Sequence, residues 1–175
     1  DISRALNTLD QFGICVIKEY VSDSDVSKLL NEHRDSFGLE KSDGIYSSTK
    51  HPTNKDGLVS RGKIEKLSHK FGVTKRVFSS DLIKNISNSY FGSESLVCDD
   101  VFFTHEKESD VPILPWHFDR QQSLKFYINL LDVDRTNGAF EYDIGSHREG
   151  HFRANFYILS GMKIENIPNN MPETE

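Results

Sequence analysis

His117-Phe118-Asp119, inside "LPWHFDRQQSLKFYINLLDVD", is the stretch whose residue types most plainly suggest chemistry. It precedes a run that alternates like a β-strand, and in a strand residues i and i+2 point to the same face. His117 and Asp119 would then present an imidazole nitrogen and a carboxylate oxygen side by side. Two histidines and one carboxylate on one face of a metal are the donor set of Fe(II) oxygenases, which leave positions open for cosubstrate and O2. Taken alone, the tripeptide has a plainer reading, with the imidazole bonded to nearby backbone and Asp119 paired to Arg120. Its context has to decide.

The run that follows supplies some of that context. Lys125, Tyr127 and Asn129 share one face of the expected strand, and Leu124, Phe126, Ile128 and Leu130 share the other. A half-buried strand explains this as polar outside and apolar inside. The functional alternative has the polar set lining a cavity, where Lys125 or Tyr127 meets an anionic cosubstrate. Downstream, Asn137-Gly138 is a strong turn signal between apolar runs. Gly145-Ser146-His147 is not a serine-hydrolase fragment, because no Gly-x-Ser-x-Gly elbow surrounds it.

The elements that must position these residues fall into two textures. Ile2, Leu6, Leu9 and Phe12 recur at helical spacing and Gly13 ends the run. "ICVIKEY" reads as a short strand. Ser22 then caps a helix over 23–37, with Asp25 in a capping-box-like position and Val26, Leu29, Leu30 and Phe37 along one face. From Leu39 to about Lys75 the composition is polar and punctuated by glycines, which predicts long loops with a turn or two of helix around "KIEKLSHKF". Ser80 caps a further helix over 81–91, carrying Leu82, Ile83, Ile86 and Tyr90 and stopped by Gly92. After Gly92, "SLVCDDVFFTHE", "LPWHFD", "SLKFYINLLDV", "AFEYDIG" and "FRANFYIL" read as strands separated by turn residues. Helices followed by consecutive strands predict one α+β domain, with a helical flank over 1–92 and an antiparallel β core over 93–175.

Hydrophobic residues at 36% and charged residues at 27% give the balance of a soluble globular domain, and 175 residues are enough for one core. A net charge of −6 with no concentrated basic stretch argues against nucleic acid or an anionic membrane as partner. Cys15 and Cys98 each sit in an apolar run and read as reduced thiols. With no signal-peptide pattern and no membrane-length apolar run, the chain reads as cytoplasmic and soluble.

"LPWHFDR" followed by "LKFYINLLDVDRTNGAFEYDIGSHREG" resembles the phytanoyl-CoA dioxygenase family of Fe(II)/2-oxoglutarate-dependent oxygenases. "LDQFGICVIKEYVSDSDVSKLL" is similar to that family's opening helix, strand and second helix. The resemblance implies a mainly β fold, a double-stranded β-helix or jelly roll with flanking helices. It also implies His117 and Asp119 as iron ligands, with 2-oxoglutarate and O2 as cosubstrates and a small organic molecule as substrate. A residue near Tyr127, with Lys125 and Asn129 on the same face, would contact 2-oxoglutarate. Arg61 and Lys63, in the polar segment, are candidate anchors for an acidic substrate.

The chain departs from the family pattern in two ways. Ile144 stands where the family has proline before Gly-Ser-His. The family's second histidine ligand, and the arginine that grips 2-oxoglutarate, lie on strands well beyond that turn, whereas this sequence stops at "NIPNNMPETE". His147 and His151 follow Asp119 but sit just after the turn and are not expected to complete the set. The resemblance therefore implies a jelly roll without its closing strands. The competing expectation is a non-catalytic jelly-roll binding module with an incomplete metal site.

Overall fold

The computed structural model describes residues 2–36, 45–48, 59–64, 71–93, 101–106, 116–134 and 139–168. The chain divides into two compact units. One comprises Asp1–Ile17, Leu114–Tyr127 and Phe140–Glu175; the other comprises Lys18–Ile113 and Ile128–Ala139.

The second unit is built around helices whose ends the sequence marks. Helix α2, Asp23–Ser36, starts after Ser22, whose hydroxyl accepts from Asp25 N at 3.2 Å, and Asp23 and Asp25 lie in its first turn, where the helix dipole favours negative charge. Two short strands follow, β1 (Ile45–Ser48) and β2 (Val59–Ile64), and then helix α3 (Gly72–Phe78). Helix α4, Asp81–Phe91, has Ser80 as N-cap and Gly92 at φ 66° as its stop, the left-handed conformation glycine adopts without a Cβ penalty. Strand β3, Val101–Glu106, completes an antiparallel sheet of order β1-β2-β3. Leu29, Phe71, Val77, Ile83, Ile86, Val101 and Phe103 form the buried apolar set of this unit. Tyr20 ties two helices to it: its hydroxyl donates to Val77 O at 2.8 Å, so the Ser80 hydroxyl, 2.5 Å away, donates to Tyr20 in turn.

The first unit holds helix α1, Ile2–Phe12, which buries Ala5 and Leu9, and helix α5, Ser146–Leu159, which buries Gly150 and Ala154. Gly150 lies against Phe118, so close that a Cβ there would stand 2.9 Å from Phe118 Cβ. A 3-10 turn, Ile164–Asn166, follows, and Ile167 beside it is fully buried.

The expected mainly β jelly roll is not the fold. Five α-helices dominate the described residues, against three strands of four to six residues. Of the runs read as strands after Gly92, Val101–Glu106 is one. His117 makes a single β-bridge, and residues 118–134 and 139–143 form no strand. "FRANFYIL" lies in α5, where Glu149 and Arg153 pair one turn apart and small residues at 150 and 154 let the helix sit close to its neighbours. No apolar stripe accounts for the helix: Phe152, Phe156, Ile158 and Leu159 are exposed, and the residues it buries are Gly150 and Ala154. "ICVIKEY" is not a strand either: Val16 is exposed and a turn follows at 18–19. Conversely, β1 and β2 arise in the segment expected to be loops, and α3 begins at its end, just past the turn of helix expected around "KIEKLSHKF". Cys98, Phe37 and the Asn137-Gly138 turn lie outside the described residues, whereas Cys15 is a half-buried free thiol. No helix among the described residues is long and apolar enough to cross a membrane.

Candidate functional site

Asp119 is the centre of the arrangement. Its carboxylate accepts from Ser123 Oγ at 2.9 Å on Oδ2, and the Lys125 ammonium stands 2.8 Å from both Oδ1 and Oδ2. Partial burial pushes the Asp119 carboxyl up, but these two hydrogen bonds and the positive field of Lys125 and His117 outweigh it and hold the group below its usual range. The expected alternative partner, Arg120, is engaged elsewhere: its Nε donates to Ile167 O at 2.6 Å. Asp119, Arg120, Gln121, Ser123, Lys125 and Ile164 line an open cavity of ≈ 350 Å³. Its wall is mostly polar and carries two cations and one anion.

His117 is exposed and close enough for its charge to be felt at Asp119. His151 is held below the ordinary histidine range, first by burial and then by the neighbouring His147, with the Asp119 charge pulling the other way. Two imidazoles, those of His117 and His151, are therefore within electrostatic reach of this carboxylate, yet they do not gather on one point with it. Among the described residues no group of three or more His, Cys, Asp or Glu side chains stands where it could hold a metal ion together. The donor chemistry of His117 and Asp119, a borderline imidazole and a hard carboxylate, suits a ferrous ion. As arranged, with Lys125 across both oxygens of Asp119, these residues do not form an iron centre.

The other expected contacts divide. Lys125 lines the cavity; Tyr127 and Asn129 do not, and both are exposed. Tyr127 stacks on Phe140, with centroids 5.1 Å apart, and Phe140 stacks on Tyr142. The alternation of the 124–130 run survives without a ladder, since odd-numbered residues are exposed and even-numbered ones half-buried. Arg61 and Lys63 lie on β2, opposite Ser48 and Thr104 and opposite Tyr46 and Phe102 respectively, in a different unit from Asp119.

Gly145-Ser146-His147 has a structural task. The last carbonyls of a helix have no intrahelical partner. Here Gly145 N donates to Phe12 O at 2.9 Å, Arg148 Nη2 donates to Asp10 O at 2.8 Å, and His147 Nε2 lies 3.2 Å from the same oxygen. The turn thus caps α1. Contact with a carbonyl requires a proton on His147 Nε2, and the buried Nδ1 has no hydrogen-bond partner among the described residues. Gly13, at φ 77°, makes room for this ring: a Cβ there would overlap the His147 ring and the Tyr142 hydroxyl.

Gln121, Ser123 and Ile164 are the site residues that the sequence did not single out, and Arg120 was expected only as the partner of Asp119. For Ser123 a signal exists, because a hydroxyl four residues beyond a carboxylate in an irregular segment can fold back onto it. Compared with known proteins, the chain matches no family model, no curated protein and no solved structure.

Proposed function

We propose that this chain carries the metal-donor and cosubstrate corner of an Fe(II)/2-oxoglutarate-dependent oxygenase acting on a small organic substrate. One observation supports this reading above the others. The Asp119 carboxylate of the His-x-Asp pair opens onto a polar cavity in which Lys125 and Arg120 supply positive charge for a dicarboxylate. The family likeness of "LPWHFDR" and "IGSHREG" adds to it. In this reading His117 and Asp119 would supply two of the donors to iron, a set that is incomplete among the described residues, Lys125 would attract the cosubstrate, and Ser123 would orient the carboxylate. When bound, iron with 2-oxoglutarate and O2 supplies the oxidising chemistry. A cytoplasmic setting belongs to the same proposal.

A second reading is favoured by the closed bonding of Asp119. Both its oxygens already have partners, which suits a non-catalytic binding module for small anions. Conversion of 2-oxoglutarate to succinate, measured with Fe(II) and ascorbate under air, separates the two. The oxygenase reading expects succinate above the protein-free blank and its loss in Asp119→Ala. Binding of 2-oxoglutarate with no succinate, unchanged by Fe(II), would leave the binding module.

A further inference from the structure

The cavity at Asp119 sets one carboxylate among two cations. Lys125 and Arg120 share its wall with Asp119, Gln121 and Ser123 add hydrogen-bonding groups, and Ile164 is its apolar residue. All of them lie in one unit of the chain. We propose that this cavity binds an acidic α-amino acid, whose ammonium pairs with Asp119 while its two carboxylates pair with Lys125 and Arg120. The inference rests on the second reading, a binding module for small anions, and names the ligand that module takes.

Charge and size carry the argument. The wall holds two positive groups and one negative one, and an acidic amino acid at neutral pH holds two negative groups and one positive one. A plain dicarboxylate satisfies Lys125 and Arg120 but brings nothing for Asp119, whose carboxylate stays ionised and repels it. An amino acid with an apolar side chain leaves one cation unanswered and finds only Ile164 to cover it. A volume of ≈ 350 Å³ lies at the small end of the roughly 300–1,000 Å³ of ligand sites, and suits a molecule of this size. Lys125 and Asp119 pair with each other in the structure, the ammonium 2.8 Å from both oxygens, and the ligand enters by exchange. Their side chains are 50% and 42% exposed, so water already competes with the pair and opening it costs little. A zwitterion then replaces that one pair by two. Ser123 Oγ, 2.9 Å from Oδ2, holds the carboxylate in place while the flexible lysine stem swings. Arg120 is the fixed pole, because its Nε donates to Ile167 O at 2.6 Å.

Calorimetry on the full chain in EDTA, which removes metal, compares L-glutamate with 2-oxoglutarate, the same skeleton with a keto group in place of the ammonium. L-Glutamate should bind more tightly by about fivefold or more, the upper reach of one exposed ion pair. Asp119→Asn should erase that preference, since its amide neither attracts the ammonium nor repels the keto acid. L-Glutamine, with one carboxylate fewer, should bind the native chain more weakly than L-glutamate by a similar factor. Lys125→Glu, which leaves the wall one cation and two carboxylates, should weaken L-glutamate by about tenfold or more. Matched far-UV circular dichroism establishes that each variant is folded. If 2-oxoglutarate binds as tightly as L-glutamate, the zwitterion inference is overturned and the cavity remains a site for anions. If the preference survives Asp119→Asn, or Lys125→Glu binds L-glutamate like the native chain, these residues do not read the ligand and the inference is equally lost. If neither compound binds the native chain, the binding-module reading fails and the inference falls with it.

Discussion

Glu32 and Asp119 are both carboxylates with three close donor contacts, and they are built for opposite purposes. Glu32, on α2, accepts Val73 N at 2.9 Å, Thr74 N at 3.0 Å and Thr74 Oγ1 at 2.8 Å. It caps the first turn of α3, a helix whose own N-cap residue, Phe71, provides no side-chain bond. Two of its donors are backbone groups of a helix end, and Thr74 is fully buried. Asp119 is held by the flexible side chains of Ser123 and Lys125, on the wall of an open cavity. Fixed backbone donors make a joint. Side-chain donors make a contact that a ligand can replace.

The largest effect should come from the joint. Glu32→Ala strands two backbone N–H groups and a buried hydroxyl, and should cost about 2–3 kcal/mol in urea unfolding. Glu32→Gln keeps one acceptor oxygen and should cost less. A Glu32→Ala loss below about 0.5 kcal/mol would erase the distinction, because the cap would then be as dispensable as a surface contact.

The same joint should sense acid. His33, beside Glu32, is buried against Phe103, with ring centroids 5.1 Å apart, and lies 3.4 Å from Thr74 Oγ1. Burial pulls its pKa below the ordinary 6.5, and the Glu32 charge opposes this only in part. The folded chain therefore binds this proton less readily than the unfolded chain. Stability from His33 is present above pH 6.5 and is lost as pH falls through the lower folded value. Urea midpoints taken between pH 7.5 and pH 5 should fall with pH, and His33→Gln should flatten that slope. An equal slope in the variant would place the acid sensitivity elsewhere.

These contrasts also show what was legible in the sequence. Helices α1, α2 and α4 were legible because Gly13, Ser22, Ser80 and Gly92 punctuate them chemically. β2 was not, because "VSRGKI" has neither strict alternation nor a β-branched run; its strand state comes from pairing with β1 and β3. α5 was misread because Phe152, Ala154, Phe156 and Ile158 alternate as a strand would, while the helix buries only the small residues Gly150 and Ala154 and leaves its large apolar ones exposed. At the site, the pairing of Asp119 with Lys125 rather than the adjacent Arg120 depends on chain reversal after residue 119, which a motif does not encode. The cap that Glu32 places on α3 spans 41 residues to Val73 and has no local signal at all.

The smallest stability effect should come from Asp119, and that is why it tests the comparison most sharply. Its partners are half exposed, so Asp119→Ala should cost less than about 1 kcal/mol at pH 7. Ser123 and Lys125 lose an acceptor but regain water, whereas the donors left by Glu32→Ala sit at a buried residue. Because the Asp119 pKa is depressed, its small contribution exists above the ordinary carboxylate value of 3.8 and vanishes as pH falls through the folded value. The native chain and Asp119→Ala should therefore converge in stability as pH falls below 3.8 and through the folded value, while at pH 7 they differ slightly in urea midpoint and, in the oxygenase reading, strongly in succinate formation. A carboxylate whose removal costs the fold almost nothing but removes that response is one held in place for a ligand. If Asp119→Ala instead destabilises the chain as much as Glu32→Ala, then Asp119 is a joint like Glu32, and the Lys125 pair is part of the scaffold.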